Sequence, residues 1–274
     1  VVTILNGRSK LSCIRAKRSN MLDLSDLKEL VSVSDFILSI MPPEQALNFA
    51  KEITKVFEVA DKLPTFVDCN AISPDITLAM AKLVNNTGAN FLNVGIIGPP
   101  PGRGVKTRFY ASGVDVDALQ FINQNEIRLV PLGEDIAKAS AVKMCYAALT
   151  KGTMTLHASV LIVAELLGVS DEVQHEFREN QKFYWKAMNK QVSMLGCDAA
   201  RWAGEMDQIS ATFSSVGITK DFHQGAADIF RLIDSSPLGE ETRETYDQNR
   251  TMQQTVEIYA NSAIKSKNIK RTGE

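Results

Sequence analysis

The sequence predicts an α/β protein in two parts, a doubly wound parallel sheet followed by an all-α region. In the first part, short β-branched or apolar runs alternate with amphipathic stretches, which is typical of parallel strands covered by helices. From Glu134 onward, apolar residues recur three and four apart and no strand pattern is found. We therefore predict one domain at residues 1–133 and a second, all-α domain at residues 134–274.

The individual elements follow from these two periodicities. Strands are expected at residues 1–5, 35–40, 65–68, 91–97, 108–111 and 127–130, with helices between them at 24–32, 44–59, 74–86 and 116–124. The dipeptides at 42–43 (Pro-Pro) and 73–74 (Ser-Pro) are helix start signals, because proline fits the first helical turn and a hydroxyl caps its amides. In the second part, helices are expected at 136–167, from 170 through 188, and at 199–213, 223–234 and 241–263.

Composition excludes several classes of protein. A formal net charge of -2 argues against a nucleic-acid surface, which normally carries a clear basic excess. The four cysteines are far apart and form no CxxC pair, so neither a metal site nor a disulfide framework is indicated. No uninterrupted apolar run reaches the roughly 20 residues of a membrane span. We therefore expect a cytoplasmic protein without a membrane anchor.

The loops that follow the predicted strands are candidate ligand sites, because the strand ends of a doubly wound sheet form its crevice. After the first strand, Asn6, Arg8 and Ser9 place an amide, a guanidinium and a hydroxyl together, a set that suits a phosphate monoester. An acidic residue in this place would instead bind a ribose hydroxyl. A surface-charged helix start explains the same residues equally well.

The next strand ends at Ile40, Met41 and Pro42, which could form an apolar ledge beside a cofactor or simply a strand-to-helix turn. Asn70 follows the third strand, beside a helix start, where its amide could bind a ligand or support the cap made by Ser73.

The loop at residues 95–104 is rich in glycine and proline, including Gly98 and Pro99. Such a rigid loop with few side chains would let main-chain amides approach a small anion. A plain connection between two strands remains the alternative.

Three motifs resemble the 3-hydroxyacid dehydrogenase superfamily, which includes 6-phosphogluconate dehydrogenase. Residues 68–74 match its Asp-x-Ser-Thr-x-x-Pro motif in part, residues 97–99 stand where it has Ser-Gly-Gly, and residues 133–144 (GEDIAKASAVKM) match its lysine-bearing helix. Residues 201–206 and 222–228 resemble the C-terminal domain of a poorly characterised phosphogluconate-dehydrogenase-like branch. The resemblance implies a Rossmann-like nucleotide domain and makes Lys143 the catalytic residue.

The resemblance implies an oxidoreductase that moves a hydride between NADP and the hydroxyl carbon of a small hydroxy acid. Lys143 is the expected general acid/base, and burial would lower its pKa enough for proton transfer. Arg8 and Ser9 are expected to bind the 2′-phosphate of NADP, and Asn70 and the Gly98-Pro99 turn to orient the reacting groups. Most lysines on amphipathic helices are solvated, but the neighbours of this one are small and apolar.

Further expectations concern the substrate and partners. Glu205 and His223 could line the substrate cleft or be structural partners in packed helices. The family resemblance also implies a homodimer, and the arginines near the Gly98 turn favour an acidic small molecule as substrate.

Departures of this chain from the family's pattern, together with one missing motif, leave an alternative function open. Ala147 and Thr150 replace the asparagine and the second proton donor that the family places after its lysine. No Gly-x-Gly-x-x-Gly occurs, so we expect a truncated, inactive segment that lacks about 25 to 35 upstream residues, including the central strand. The alternative function is a non-catalytic dinucleotide-binding or scaffold protein that retains the fold.

Overall fold

The computed structural model describes residues 1–124 and 126–272, with side chains as far as residue 265. The chain divides into two compact units, Val1–Lys143 and Met144–Glu274, here called the N-terminal and C-terminal units. The division falls later than the predicted boundary at residue 133. The reason is that the first turns of a long helix pack against the sheet and count with it, as shown below.

The N-terminal unit alternates strands and helices, as the sequence predicts. Its elements are β1 (Val2–Thr3), α1 (Lys10–Arg18), β2 (Leu22–Asp23), α2 (Leu27–Val33), β3 (Phe36–Ser39), α3 (Pro43–Phe57), β4 (Thr65–Asp68), α4 (Pro74–Asn85), β5 (Phe91–Ile97), β6 (Thr107–Ser112) and β7 (Ile127–Pro131). A 3-10 helix at Val116–Ile122 replaces the α-helix expected there. Ser73 caps α4 by accepting a hydrogen bond from the amide of Ile76, as expected for a Ser-Pro start.

The main sheet has five strands in the order β3-β4-β5-β6-β7. All neighbouring pairs are parallel except β5 and β6, which run antiparallel with Ile97 opposite Arg108. The prediction of a parallel α/β sheet is therefore confirmed, with a correction at β6. The physical reason is the connection: a loop without a crossover helix returns the chain directly beside β5 in the opposite direction.

The first two strands form a separate parallel sheet, in which Val2 pairs with Leu22 and Thr3 with Asp23. β2 was not predicted, because a two-residue strand is too short to show alternation. α1 begins where a helix start was one of the two interpretations of Asn6, Arg8 and Ser9. Within the described residues no strand joins β1 to β3, so each presents an edge without a strand partner.

Helices α2, α3 and α4 cover one face of the main sheet, and the 3-10 helix at Val116–Ile122 packs on part of the other, so β4 and β5 are buried on both sides. Alternate residues of β4 and β5 enter two different hydrophobic clusters: Phe66 and Phe91 pack with α2, α3 and α4, whereas Val67, Leu92 and Val94 pack with Leu119 and Leu129. The polar side chains inside these strands are therefore deeply buried and need hydrogen-bond partners within the protein.

The C-terminal unit is all-α, as predicted. It contains α5 (Lys138–Leu167), which begins in the N-terminal unit, followed by α6 (Ser170–Asn180), α7 (Lys182–Gln191), α8 (Ala199–Ser215), α9 (Asp221–Asp234) and α10 (Met252–Thr272). Short 3-10 helices lie at Val192–Asp198 and Pro237–Glu240. The helix predicted from residue 170 through 188 is interrupted at Gln181, where the backbone leaves the helical region.

The last helix begins later than the predicted residue 241. Residues 242–251 form turns instead, held by side chains such as Thr245, whose hydroxyl accepts the amide of Thr242. Arg250 also donates two hydrogen bonds of 2.6 Å to the carboxylate of Glu241. Local side-chain bonds of this kind compete with helix formation.

α5 is the longest described helix and has an unusual composition. It is long and apolar enough to cross a bilayer by those two criteria alone, but 56 % of its most apolar window is buried inside the protein. Burial of this extent is typical of the core helix of a folded domain.

Candidate active site

The carboxyl ends of β3, β4 and β5 lie side by side at one edge of the main sheet, because these three strands are parallel neighbours. β3 and β4 end in the polar residues Ser39 and Asp68 at this edge, where doubly wound sheets bind their ligands, and Asn93 of β5 pairs with Asp68. We call five buried residues there the strand-end cluster: Ser39, Asp68, Asn70, Asn93 and Ser140.

Asn70 connects the ends of β3 and β4. Its Nδ2 donates to Ser39 Oγ at 2.9 Å and to Asp68 Oδ1 at 2.6 Å, and its Oδ1 accepts from the amide of Met41 at 2.7 Å. Both amide hydrogens of Asn70 are thus used within the protein. The side chain fixes the shape of the two loops, and one lone pair of Oδ1 remains for a ligand.

Asn93 connects β5 to the start of α5. Its Oδ1 accepts from both the amide and the hydroxyl of Ser140, at 2.8 and 2.9 Å, and its Nδ2 reaches Asp68 Oδ2 at 3.4 Å. Ser112 acts in the same way, with its hydroxyl accepting from the amide of Ala139. Side chains of the sheet therefore cap the first turn of α5, whose amides have no partner within the helix.

Gly95 lets α5 approach β5 closely. A Cβ atom at this position would lie 2.6 Å from the carbonyl oxygen of Ala139 and 3.0 Å from Cβ of Lys143. No side chain fits in that space without moving the backbone of the helix. From the sequence, Gly95 is the first residue of the glycine- and proline-rich loop, whereas its position inside a strand is a known sign of close backbone approach.

This packing sets the position of Lys143, the predicted catalytic residue. Its Nζ donates a hydrogen bond of 2.8 Å to the carbonyl oxygen of Ile96, and the residue is half-buried. The nitrogen therefore lies at the carboxyl end of β5 rather than in bulk solvent. This is the location that the proposed proton transfer requires, and the catalytic role itself stays a prediction.

Asp68 supplies the carboxyl group of the strand-end cluster, and its pKa is strongly shifted. Burial raises its pKa from 3.8 to about 7, although hydrogen bonds from Asn70 and Asn93 act in the opposite direction. Desolvation dominates because the charged form loses its water and gains only neutral donors. The cluster therefore contains a carboxyl group that titrates near neutral pH.

The predicted cofactor residues after β1 are exposed. Asn6, Arg8 and Ser9 lie on the surface, and Ser9 caps α1 by accepting a hydrogen bond from the amide of Ser12. The helix-start interpretation of Ser9 is thus correct, and it leaves the Arg8 guanidinium facing solvent. A phosphate group would find a cation there beside the N-terminus of α1.

The expected apolar ledge after β3 exists as a surface. Ile40 is 61 % exposed and Leu38 38 %, next to half-buried Met41 and exposed Pro42. Large apolar side chains left open at a strand end suit the flat ring of a bound cofactor. The contact of these residues with a cofactor stays a prediction.

The loop after β5 is held by its own chain. Gly98 adopts a φ of 132°, and the hydroxyl of Thr107 donates to the carbonyl oxygen of Pro99. Further along, the amide of Gly102 donates to Glu126 Oε1 at 2.9 Å. The amide of Gly102 is therefore used by the protein's own carboxylate, and the binding of a small anion at Gly98 and Pro99 stays a prediction.

Glu205, one of two predicted substrate residues of the C-terminal unit, lies in a buried ion cluster. It pairs with Lys151 through Oε2 and with Arg201 through Oε1, the latter at 2.7 Å. Both cations also lie over the ring of Trp202, at 5.6 and 5.8 Å from its centroid. The charge of Glu205 is therefore compensated within this unit, which favours the structural interpretation of the residue.

His223, the other predicted substrate residue, is buried between the rings of Phe213 and Phe222. Burial lowers the pKa of its imidazole. It lines an apolar cavity of about 420 Å³ together with residues of α5 such as Leu149, Gly152 and Leu156. Nδ1 of His223 has no hydrogen-bond partner among the described residues.

The α/β sheet followed by an all-α unit has the arrangement of the 3-hydroxyacid dehydrogenase-like folds. The comparisons with known proteins agree. Residues 164–233 match a family model described as "Domain of unknown function (DUF1932)". An uncharacterised 28.5 kDa protein of Methanothermus fervidus is 28 % identical over 187 residues, which are 67 % of this chain and 70 % of that protein.

Two further matches are to a 3-hydroxyisobutyrate dehydrogenase and to a protein that is structurally similar to 3-hydroxyacid dehydrogenases. The mitochondrial 3-hydroxyisobutyrate dehydrogenase of Drosophila melanogaster is 26 % identical over 143 residues, covering 52 % of this chain and 43 % of that enzyme. A solved protein of unknown function, reported as structurally similar to 3-hydroxyacid dehydrogenases, superposes with a TM-score of 0.58 at 25 % identity, covering 85 % of this chain and 87 % of its own. The resemblance to the 3-hydroxyacid dehydrogenase superfamily is thus confirmed.

Proposed function

We propose that this protein transfers a hydride between NADP and the hydroxyl-bearing carbon of a small acidic molecule, with Lys143 as general acid/base. The observation that carries the proposal is the position of Lys143: its nitrogen is fixed at the carboxyl end of β5 by a bond to Ile96. The similarity to a 3-hydroxyisobutyrate dehydrogenase supports a hydroxy acid as substrate.

Residues of the N-terminal unit fit a nicotinamide dinucleotide in part. The exposed Ile40 and Leu38 offer an apolar surface, and Arg8 offers a cation for a 2′-phosphate, which favours NADP over NAD. When bound, the nicotinamide supplies the hydride donor or acceptor.

The protein's own contribution is the movement of one proton. During oxidation, the amine form of Lys143 takes the hydroxyl proton while the hydride leaves the carbon, and the products are a carbonyl compound and an ammonium group. During reduction, the ammonium donates that proton to the new alkoxide oxygen. The Ile96 carbonyl keeps Nζ in place in both directions, because it accepts a hydrogen bond from either form.

The proposal is tested by adding NADP⁺ and a panel of small hydroxy acids to the complete protein and following the absorbance of reduced nicotinamide. We expect Lys143→Met to lower the rate by at least about a hundredfold, the usual contribution of a general acid/base. Lys138→Met is the matched control, because Lys138 is exposed on the same helix, and its rate should equal that of the wild type.

Three outcomes are informative. Equal rates for both variants would remove Lys143 from the mechanism. Binding of NADP⁺ without hydride transfer from any hydroxy acid of the panel would favour the non-catalytic alternative. A preference for NAD would contradict the assignment of Arg8 and leave the role of Lys143 unaffected.

A further inference from the structure

Two arginines lie next to each other on neighbouring strands of the main sheet. Arg108 of β6 is the register partner of Arg128 of β7, and register partners point their side chains to the same face of a sheet. Arg108 is half-buried and Arg128 is exposed. The two side chains therefore leave the backbone about 5 Å apart, at the surface of the protein.

No carboxylate compensates either charge within the part of the chain that the structure describes. There, the side chains of Arg108 and Arg128 form no ion pair and no hydrogen bond. Glu126, the acidic residue nearest to Arg128 in the sequence, accepts a hydrogen bond from the amide of Gly102 instead. Like charges directly opposite each other on a sheet are destabilising. An anion from outside the protein would supply the missing negative charge.

The register of the sheet places this arginine pair near Lys143. Gly95, over which the start of α5 packs, and Ile97, the register partner of Arg108, are two residues apart on β5. Residues two apart on a strand share a face, so the arginines lie on the face that carries the start of α5 and Lys143. They also lie at the carboxyl end of β5, because β6 runs antiparallel to β5 and β7 runs parallel to β6.

The order of the strands separates the arginine pair from the predicted cofactor surface. In the order β3-β4-β5-β6-β7, the apolar ledge after β3 lies on one side of β5 and the two arginines lie on the other. Measured across the sheet, β6 and β7 are about 5 and 10 Å from β5. A molecule whose hydroxyl carbon lies between the cofactor and Lys143 would therefore direct its far end toward the arginines.

We propose that Arg108 and Arg128 bind a second acidic group of the substrate. The substrate class is then the hydroxy acids that carry a further carboxylate or phosphate group several atoms away from the hydroxyl carbon. The inference rests on the proposed function, because it places that carbon at Lys143. Two forked guanidinium groups match the oxygens of either anion. The carboxylate beside the reacting carbon remains with the predicted Gly98-Pro99 turn.

Anion binding in the absence of turnover is the first test. Glutarate and inorganic phosphate, each added to the complete protein at constant ionic strength, should raise the urea midpoint of unfolding, because a ligand of the folded state stabilises it. The double variant Arg108→Met, Arg128→Met should lose this rise relative to its own midpoint. Arg18→Met, which removes an exposed arginine of α1, is the matched control and should keep it. No rise in the wild type, or a full rise in the double variant, would overturn the proposal.

Charge reversal distinguishes a facing arginine pair from a general positive surface. In Arg128→Glu the new carboxylate would face Arg108 on the neighbouring strand, so the urea midpoint without added anion should exceed that of Arg128→Gln, a neutral side chain of the same length. Added glutarate or phosphate should then raise the midpoint of Arg128→Glu no further. Equal midpoints for the two variants would mean that the two side chains do not face each other, which contradicts the proposal.

Steady-state kinetics connects the arginine pair to the substrate. For hydroxy acids with a second acidic group, Arg128→Met should raise KM about ten- to a hundredfold and leave kcat nearly unchanged, because the lost contact is remote from the reacting carbon. Whether the dicarboxylic or the phosphorylated acids show this effect identifies the preferred anion. Hydroxy acids with one carboxylate should give the same KM for the wild type and the variant.

The two proposals fail in different ways. Hydride transfer from acids with a second acidic group that is unaffected by Arg108→Met and Arg128→Met would overturn the present inference and leave the proposed function standing. Anion binding that depends on both arginines, without hydride transfer from any hydroxy acid, would overturn the proposed function and uphold the anion site.

Discussion

Lys143 and Lys151 lie on the same helix but contact different kinds of group, a backbone carbonyl and a carboxylate. Lys143 donates to the carbonyl oxygen of Ile96, a neutral group. Lys151 pairs with the carboxylate of Glu205, and its side chain is only 10 % exposed. A carboxylate strongly favours the charged form of its partner, whereas a neutral carbonyl does so much less.

The comparison separates a lysine suited to chemistry from one suited to structure. A group that takes up and releases a proton needs a partner that can accept a hydrogen bond from both of its forms, and the Ile96 carbonyl is such a partner. The ion cluster around Glu205 depends on a permanent charge, because a buried carboxylate without its cation is costly. Three substitutions test this difference and the packing around the strand-end cluster.

The largest effect is expected from Lys151→Met. This change leaves Glu205 buried with only Arg201 as a partner, and it should lower the free energy of unfolding by about 3–5 kcal/mol. Urea denaturation measures the loss, and the exposed Lys138→Met should stay within about 0.5 kcal/mol of the wild type. A loss below about 1 kcal/mol would mean that Lys151 does not compensate Glu205.

Gly95→Ala should have an intermediate effect. The new Cβ would overlap the Ala139 carbonyl, and we expect a loss of about 1–3 kcal/mol, as for other overpacked sites. Gly225→Ala is the control, because Gly225 lies in α9 with no atom within 4 Å of its added Cβ. It should be neutral or stabilising by up to about 1 kcal/mol. Equal stabilities would show that α5 does not rest on β5.

The most specific effect is a change of pH dependence in Asp68→Asn. The raised pKa of Asp68, about 7 against 3.8, means that the folded state holds this proton more tightly than the unfolded state. The stability contributed by the protonated form is complete below about pH 4 and is lost as pH rises to about 7.

The unfolding free energy of the wild type should therefore fall across this window relative to Asp68→Asn, with a slope of at most about 1.4 kcal/mol per pH unit. Asp117→Asn, which removes an exposed carboxylate, should keep the slope of the wild type. Parallel curves for Asp68→Asn and the wild type would show that Asp68 is ionised throughout.

Periodicity predicted most of the fold, and its failures have physical causes. The alternation of strands and helices up to residue 133 gave the α/β class, but it contains no information on strand direction, so the antiparallel β6 was missed. β2 has two residues and shows no pattern. The start of α10 was missed because the side chains of residues 241–251 bond to each other, an interaction that no periodicity reveals.

The candidate site was predicted less completely. Lys143 followed from a family motif, whereas Asn93, Ser140 and Gly95 were missed. Each is a single residue inside an apolar segment, and its partner lies on a different element. Asn93 did give a signal, since a polar residue within a buried strand must find partners. The partners became visible only when β4, β5 and α5 were placed together.

The contact at Gly95 has a consequence for how the Lys143 nitrogen is held. Because sheet side chains cap the first turn of α5, and because backbone meets backbone at Gly95, the sheet fixes the position of this turn. The position of the Lys143 nitrogen, which bonds to Ile96 of the same sheet, is therefore determined within the N-terminal unit.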